Sequence, residues 1–325
     1  HPRVMAEEEV SDLVARLEER FGEGSFDEAL ALADEILALD ASSEVGLRCR
    51  AACLARAGRY ADAAQHAQKH AAVLGAQGAL ARSYALYQTG ALDEALAVAR
   101  QARAAGAEPD EAAALAHVEA QILYKRGAAD DAAAVYREIV QTGPGAMQDP
   151  EVLTNAIAAL VMAGAHQEAC RLYETVPGAP LGAYELAYNC ACAHLEARRP
   201  AEAEALLDEA LRLSTEALQT EDAAADEEEM EAEQAAIKTQ RAYARQLRGD
   251  ERQAAEDNLA VLRIKGHESI DNTVAAVAAN NLVVLRGDRD LFDSAKRCKA
   301  ALAPEVARKL TPRQRRGFMA KQALL

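Results

Sequence analysis

The chain has 325 residues, half of them hydrophobic, yet aromatic residues make up only 4% and Trp is absent. Its formal net charge of −16 argues against nucleic-acid binding by the chain as a whole, because phosphate backbones are held through Lys and Arg. No stretch approaches the roughly 18 unbroken apolar residues that a membrane-crossing helix needs.

The opening His1-Pro2-Arg3-Val4-Met5 lacks the apolar stretch of a signal peptide, and residues 1–5 are expected to be foreign to the natural chain. From residue 6 a short pattern returns: a Gly, a bulky residue two on, and an Ala three further. It reads Gly24-Ser25-Phe26-Asp27-Glu28-Ala29, then Gly58-Arg59-Tyr60-Ala61-Asp62-Ala63, then Gly90-Ala91-Leu92-Asp93-Glu94-Ala95. The Ala positions continue at Ala132, Ala169, Ala203, Ala254 and Ala295, at spacings of 34, 32, 37, 37, 34, 51 and 41. A period near thirty-four marks helix-turn-helix tetratricopeptide repeats. Helix A ends before the Gly, and helix B carries the Ala, whose small size lets neighbouring helices approach.

The A/B pairs are predicted near 6–21/26–39, 43–57/60–74, 77–89/92–105, 110–126/129–142, 151–163/166–175, 184–198/200–218, 232–248/251–264 and 270–286/291–301. Gly143-Pro144-Gly145 and Val176-Pro177-Gly178-Ala179-Pro180 break the chain between pairs. The expected fold is all-α, a tetratricopeptide-type helical-hairpin solenoid with a right-handed superhelix: about eight pairs over 6–301, with an acidic insertion near 219–234. The acidic run Glu221 to Glu233 coincides with about seventeen extra residues between Ala203 and Ala254 and is expected to be a solvated loop or a helix extension. Thr311-Pro312 opens a last helix, so 302–325 is a terminal or capping segment over the final pair.

Catalytic patterns are missing from the sequence. No glycine-rich phosphate loop joins a strand to a helix. His66 and His70 are four apart, but no Glu follows the first, so the zinc-protease helix pattern fails and a surface pair is expected. The six Cys (49, 53, 170, 190, 192, 298) form neither a disulfide framework nor two ligand pairs at metal spacing. The reading is therefore a non-enzyme with no cofactor and no metal, whose work is to hold another polypeptide.

In such repeats helix A lines a concave groove. Fourteen residues before Ala169, Ala203 and Ala295 stand Asn155, Asn189 and Asn281. A carboxamide both donates and accepts, so it can grip the backbone of an extended peptide, or equally bridge adjacent helices. The same count puts Tyr84, Tyr87, Tyr124 and Tyr188 on the groove side, with His117, Gln121 and Lys125 beside them. Tyr buries a large area while keeping a polar tip, which suits an anchor for a partner; core packing is the competing role. No run of three repeats offers the Lys and Arg set that grips a C-terminal carboxylate in chaperone adaptors.

Two later stretches, Tyr184-Glu185-Leu186-Ala187-Tyr188-Asn189-Cys190-Ala191-Cys192-Ala193 and Val274-Ala275-Ala276-Val277-Ala278-Ala279-Asn280-Asn281-Leu282 with Leu291-Phe292-Asp293-Ser294-Ala295-Lys296, carry more than the general repeat pattern. They resemble the family of the 72-kilodalton subunit of the eukaryotic signal recognition particle, from about Glu8 to Leu325. The resemblance implies a non-catalytic scaffold whose N-terminal repeat domain binds a C-terminal segment of the 68-kilodalton subunit. It implies a cytoplasmic protein, transiently at the endoplasmic reticulum surface, in co-translational protein targeting. The family's RNA-binding segment is a Lys-rich stretch far downstream, and no such stretch is present here, so particle RNA would be reached only through segments this chain lacks. The alternative is an unrelated tetratricopeptide adaptor with a different peptide client.

Overall fold

The structure, a computed structural model, describes residues 2–142, 145–175, 183–220, 227–264, 271–310 and 312–324. The predicted breakers Gly143-Pro144 and 176–180, the acidic residues 221–226, His1, His267 and the Thr311 cap lie outside the described residues.

Seven turns share one geometry, and it explains the recurrent pattern. Gly24, Gly58, Gly90, Gly127, Gly164 and Gly249 adopt φ between +73° and +89°, and Arg198 takes the same place at φ +63°. A residue in this left-handed region ends helix A, and Gly adopts it without steric cost. The following amide then reaches back to a carbonyl in the last turn, as in Ser25 N to Arg20 O (3.0 Å), Ala91 N to Leu86 O (2.9 Å) and Arg199 N to His194 O (2.8 Å). Five residues after each left-handed residue comes a small side chain at the helix–helix contact: Ala29, Ala63, Ala95, Ala132, Ala169, Ala203 and Ala254 are fully buried.

The chain divides into two compact units, His1–Ala146 and Met147–Leu325. The first unit holds four pairs: α1 (Pro2–Gly22) with α2 (Phe26–Leu39), α3 (Glu44–Arg56) with α4 (Tyr60–Lys69), α5 (Ala71–Thr89) with α6 (Leu92–Ala104), and α7 (Pro109–Lys125) with α8 (Ala129–Thr142). Helix α5 bends at Gly75 (φ 53°, ψ −133°), so helix A of the third pair starts just beyond it. His70 ends α4, and helix B of the second pair stops short of the predicted residue 74.

The second unit contains α9 (Pro150–Met162) with α10 (His166–Glu174), α11 (Tyr184–Glu196) with α12 (Pro200–Thr220), and the short α13 (Glu227–Glu233). Then come α14 (Ala235–Arg248) with α15 (Glu251–Val261), α16 (Asn272–Arg286) with α17 (Leu291–Ala301), α18 (Pro304–Ala307) and α19 (Pro312–Leu324). Among the described residues there is no strand. The acidic run is thus helical over 227–233, and its last residue is tied down: Tyr184 Oη donates to Glu233 at 2.8 Å. Phe318 of α19 is buried against Cys298, Ala301 and Leu310, and Lys321 donates to Asn280 Oδ1 at 2.6 Å, so the terminal helix covers the eighth pair.

The eighth pair departs from the rule. Gly287 (φ 56°, ψ −125°) is followed by a second left-handed residue, Asp290, before α17 begins. The buried small residue is Ser294, seven positions after Gly287, where the other pairs need five. Ala295 is half-buried, and Phe292, which matches the bulky residue of the pattern, is 87% exposed. The sequence count from Ala295 is therefore one residue out of register, and it crosses a turn two residues longer than the others.

Ion pairs reinforce the second unit. Arg241 of α14 bonds Asp257 of α15 twice at 3.0–3.1 Å and Asp208 of α12 at 3.0 Å. Arg245 adds Glu204 at 2.9 Å and Asp257 at 2.8 Å, and Arg248 also meets Glu204. In the first unit buried Glu119 of α7 accepts from Arg100 (2.7 Å) and Arg103 of α6, and Arg103 continues to Glu138 of α8 at 2.8 Å.

Candidate peptide-binding face

Helices α3, α5 and α7 are the A helices of pairs two to four and lie side by side in the first unit. Their exposed faces enclose a hollow of about 340 Å³ lined by Arg48, Ala51, Ala52, Ala55, Leu74, Gln77, Gly78, Leu80, Ala81, Tyr84 and Val118. The floor is made of alanines, and short side chains there leave open space where Leu or Met would fill it. Gly78 is required at the bend: a Cβ there would stand 2.5 Å from that of Leu74. The polar rim is already satisfied, since Arg48 Nη1 donates to Gln77 Oε1 at 3.2 Å.

Tyr84 lines the hollow and joins a cluster of tyrosines. Tyr84 meets Tyr60 edge-on at 6.3 Å between ring centroids and Tyr87 at 6.4 Å. Lys125 of α7 reaches across to α5, with Nζ 4.3 Å from the Tyr87 ring centre and donating to the Tyr87 carbonyl at 3.2 Å. Burial, with Tyr84 beside it, raises the Tyr87 phenol above its usual range. The hydroxyl therefore stays protonated as a donor.

The structure thus brings Tyr84, Tyr87 and Lys125 together. Tyr60, which the sequence reading used only as a pattern residue, joins them. Tyr84 and Tyr124 are exposed large side chains. His117 and Gln121, one turn apart on α7, are within hydrogen-bond distance of each other at 3.3 Å. His117 also packs edge-on against buried Tyr136 of α8 at 5.8 Å, so part of its ring serves the contact within its own pair. The alanine floor was missed because Ala on helix A reads the same in sequence whether it packs a neighbour or lines a hollow.

The remaining predicted residues lie in the second unit. Asn155 and Asn189 are half-buried on α9 and α11, and Asn189 Nδ2 donates to the Thr154 carbonyl of the neighbouring A helix at 3.2 Å. Tyr188 is half-buried beside Cys192. Asn281 stands elsewhere: it is buried, with Nδ2 3.5 Å from Asn258 Oδ1 of α15. The longer turn of the eighth pair is the physical reason. Counting back from Ala295 lands on the side of α16 that faces the preceding B helix.

A larger hollow of the first unit is lined by charged side chains. It measures about 720 Å³ and is bordered by Arg50, Arg59, Asp62, His66 and Lys69. Both of its arginines are paired: Arg50 with Asp34 at 2.7 Å and Arg59 with Asp62 at 2.7 Å. His66 is buried, not a surface residue: its Nε2 bonds the Leu47 carbonyl at 2.9 Å and its Nδ1 lies 3.3 Å from Arg50. Burial pushes the Cys53 thiol up to about 11 and Cys192 up to about 12, so both stay protonated at neutral pH. Among the described residues no group of three or more His, Cys, Asp or Glu is placed to hold a metal, and no helix is long and apolar enough to cross a membrane.

No family model matches the chain. By sequence it is similar to signal recognition particle subunit SRP72 of dog and of human, each 30% identical over 312 residues, 94% of this chain. It is 37% identical over 78 residues to SRP72 of Schistosoma mansoni. The chain spans 44% of the length of the dog and human proteins. Among solved structures it is similar to the Cut9–Hcn1 hetero-tetramer of the APC/C, at a TM-score of 0.60 and 13% identity, covering 96% of this chain and 55% of that one. A tetratricopeptide repeat protein from Parabacteroides merdae superposes at 0.54 and 10% identity, over 83% of this chain and 98% of that one. These structures share the fold of paired helices, and the sequence match extends along nearly the whole chain: it is an SRP72-like tetratricopeptide repeat protein.

Proposed function

We propose that the chain is a non-catalytic protein-binding scaffold of a signal recognition particle, and that the A-helix face of its first unit holds a C-terminal segment of the particle's 68-kilodalton subunit. The family likeness supports membership of the particle. The observation that carries the binding role is the alanine-floored hollow lined by Tyr84, whose ring meets those of Tyr60 and Tyr87. A cavity of that size accepts one large apolar side chain, and aromatic side chains beside an apolar pocket are where binding energy concentrates. Acting in the cytosol, such a scaffold would serve the targeting of nascent secretory chains to the endoplasmic reticulum, with particle RNA contacted by other segments. Asn155, Tyr188 and Asn189 belong to a different surface, and Asn281 is not part of either.

The test is titration of the chain with a labelled synthetic peptide spanning the C-terminal segment of the 68-kilodalton subunit. Saturable binding that an unlabelled copy competes away, and that weakens about tenfold when the hollow is filled, is expected. Absence of binding at any practical concentration would remove this partner.

A further inference from the structure

Charge is divided unevenly along the chain. Residues 291–325 carry nine Lys and Arg against two carboxylates, whereas residues 1–290 carry 27 against 50. The basic stretch folds into α17, α18 and α19, and α19 packs on α17, so its cations gather at the terminal end of the second unit. Arg308 Nε donates to the Pro304 carbonyl at 3.0 Å, and Arg315 Nη2 donates to the Ala307 carbonyl at 2.6 Å. Both guanidinium groups are thereby held in place with their charge intact. Lys296, Lys299 and Arg316 are exposed, and none of these five cations forms an ion pair with a described carboxylate. Of the two carboxylates in the stretch, Asp293 is already held by Arg286 and Arg297, while Glu305 is exposed.

Bulky apolar side chains stand among these cations. On α17, Phe292, Lys296 and Lys299 share one face, turned away from buried Ser294, Cys298 and Ala301. Leu291 beside them is also exposed. On α19, Arg316 and Met319 lie three apart on the side away from buried Phe318, and Met319 is exposed. The preceding turn is neutral, with Arg286 and Arg289 against Asp288 and Asp290.

This combination selects the occupant. A nucleic acid would use the cations and stack on Phe292, but it offers nothing to Leu291 or Met319. An anionic lipid surface rewards both kinds of side chain: cations approach the headgroup phosphates, and exposed apolar side chains enter the boundary with the acyl chains. Salt screens charges beyond about 10 Å, so the acidity of the rest of the chain does not cancel a local cationic face.

We propose that this terminal face of the second unit docks on anionic lipid surfaces, with Lys296, Lys299, Arg308, Arg315 and Arg316 toward the headgroups and Leu291, Phe292 and Met319 entering the interface. The attachment is to the surface and does not cross it. It goes beyond peptide binding by the first unit and does not depend on it.

The chain has no Trp, so Phe292→Trp places a single emission reporter at the decisive position. The probe is a vesicle of phosphatidylcholine and phosphatidylserine at three to one, with pure phosphatidylcholine as its companion. Flotation of the whole chain should show saturable binding to the mixed vesicles and at least tenfold weaker partitioning into the companion. Emission of the Phe292→Trp variant should shift to the blue on the mixed vesicles and be quenched by brominated acyl chains. The double variant Lys296→Gln, Lys299→Gln should weaken partitioning roughly twentyfold, about fivefold for each cation. Phe292→Ser should weaken it about fivefold. All three side chains are exposed, so melting should be unchanged. Arg252→Gln, at an exposed position of α15, should leave partitioning as it was. No binding to the mixed vesicles, equal partitioning into both, an unshifted emission, or an Arg252→Gln loss as large as that of the lysine pair would each overturn the proposal. Binding of oligouridylate or polyglutamate through the same lysines, with no binding to vesicles, would assign the face to a nucleic acid or an acidic polypeptide instead. Failure of the 68-kilodalton segment to bind leaves these outcomes unaffected, since neither that peptide nor the first unit takes part.

Discussion

At one position of helix A, nine residues before the left-handed residue, the two units made opposite choices. The first unit has Cys49, Ala81 and Val118, and the second has Asn155, Asn189 and Gln240. In the first, two of these residues line an apolar hollow beside a tyrosine cluster. In the second, that position is a carboxamide, and α12, α14 and α15 are fastened together by Arg241, Arg245, Asp257 and Glu204. The repeat backbone tolerates both, because the residue that fixes its packing is the small one on helix B. Binding chemistry is thus free to vary along helix A while the stack is held by an alanine it does not touch.

The largest effect should come from breaking the ionic fastening of the second unit. Asp257 is mostly buried and serves both Arg241 and Arg245. Asp257→Ala leaves Arg241 only Asp208 and Arg245 only Glu204, and about 3 kcal/mol of stability should be lost. Chemical denaturation followed by circular dichroism measures it; a loss under about 1 kcal/mol would mean that the network decorates a stack held by other contacts.

Next in size are the aromatic anchors. Tyr87→Ala and Tyr124→Ala should each cost about 2 kcal/mol in binding the 68-kilodalton segment, roughly thirtyfold in affinity, with melting unchanged. If both variants bind within twofold of the parent, the contrast between an aromatic face and an amide face has no functional meaning for this partner. Ala52→Leu is a sharper probe of the hollow itself, because Ala52 is exposed and its replacement disturbs no core contact. Filling the hollow should weaken binding by about tenfold, or about 1.4 kcal/mol. An unchanged affinity would move the anchor elsewhere.

Each unit also buries a histidine. Burial lowers the pKa of His66 and of His194 below the ordinary 6.5, so the folded state favours the neutral ring. Below pH 6.5 the unfolded chain takes up these protons first. Their contribution is therefore complete above 6.5 and is lost as pH falls through the depressed folded values. The melting midpoint should drop between pH 7.5 and pH 5.5, and the drop should shrink in a His66→Gln, His194→Gln double variant. An equal drop in both proteins would place the titration on other groups. The smallest effect belongs to the acidic run. Replacing 221–229 by a short Gly-Ser link, with Glu233 and its bond to Tyr184 kept, should change stability by no more than about 0.5 kcal/mol. A fall of many degrees in melting would make this segment a structural part of the second unit.

The helical pairs were legible because a left-handed Gly and a small residue five positions later are both visible as letters. The eighth pair was not, and the reason is specific. Phe292 and Ala295 imitate the pattern at the right spacing, but α17 starts from Asp290, and it is Ser294, equally small, that enters the contact. The misreading carried Asn281 onto the face, whereas the structure turns it toward Asn258. Tyr84, Tyr87 and Lys125 were found because their spacing on adjacent A helices needed no knowledge of depth. The hollow was not found, because it depends on how far alanines stand from a facing helix. His66 looked like half of a surface pair, since sequence does not show that α4 ends at His70 and leaves His66 beneath α3.

The turn of the eighth pair also bears on how such a chain can be lengthened or shortened by recombination. Pairs one to seven share one count from turn to contact, so a cut at any of their left-handed residues and a join at another preserves the phase of every helix. A crossover into the eighth pair at Gly287 would add two residues, and one at Ala295 would rotate helix B by about 100°. Duplication or loss of modules is therefore neutral in register within the first seven pairs and costly at the eighth, which makes that pair a fixed boundary around which repeat number can drift.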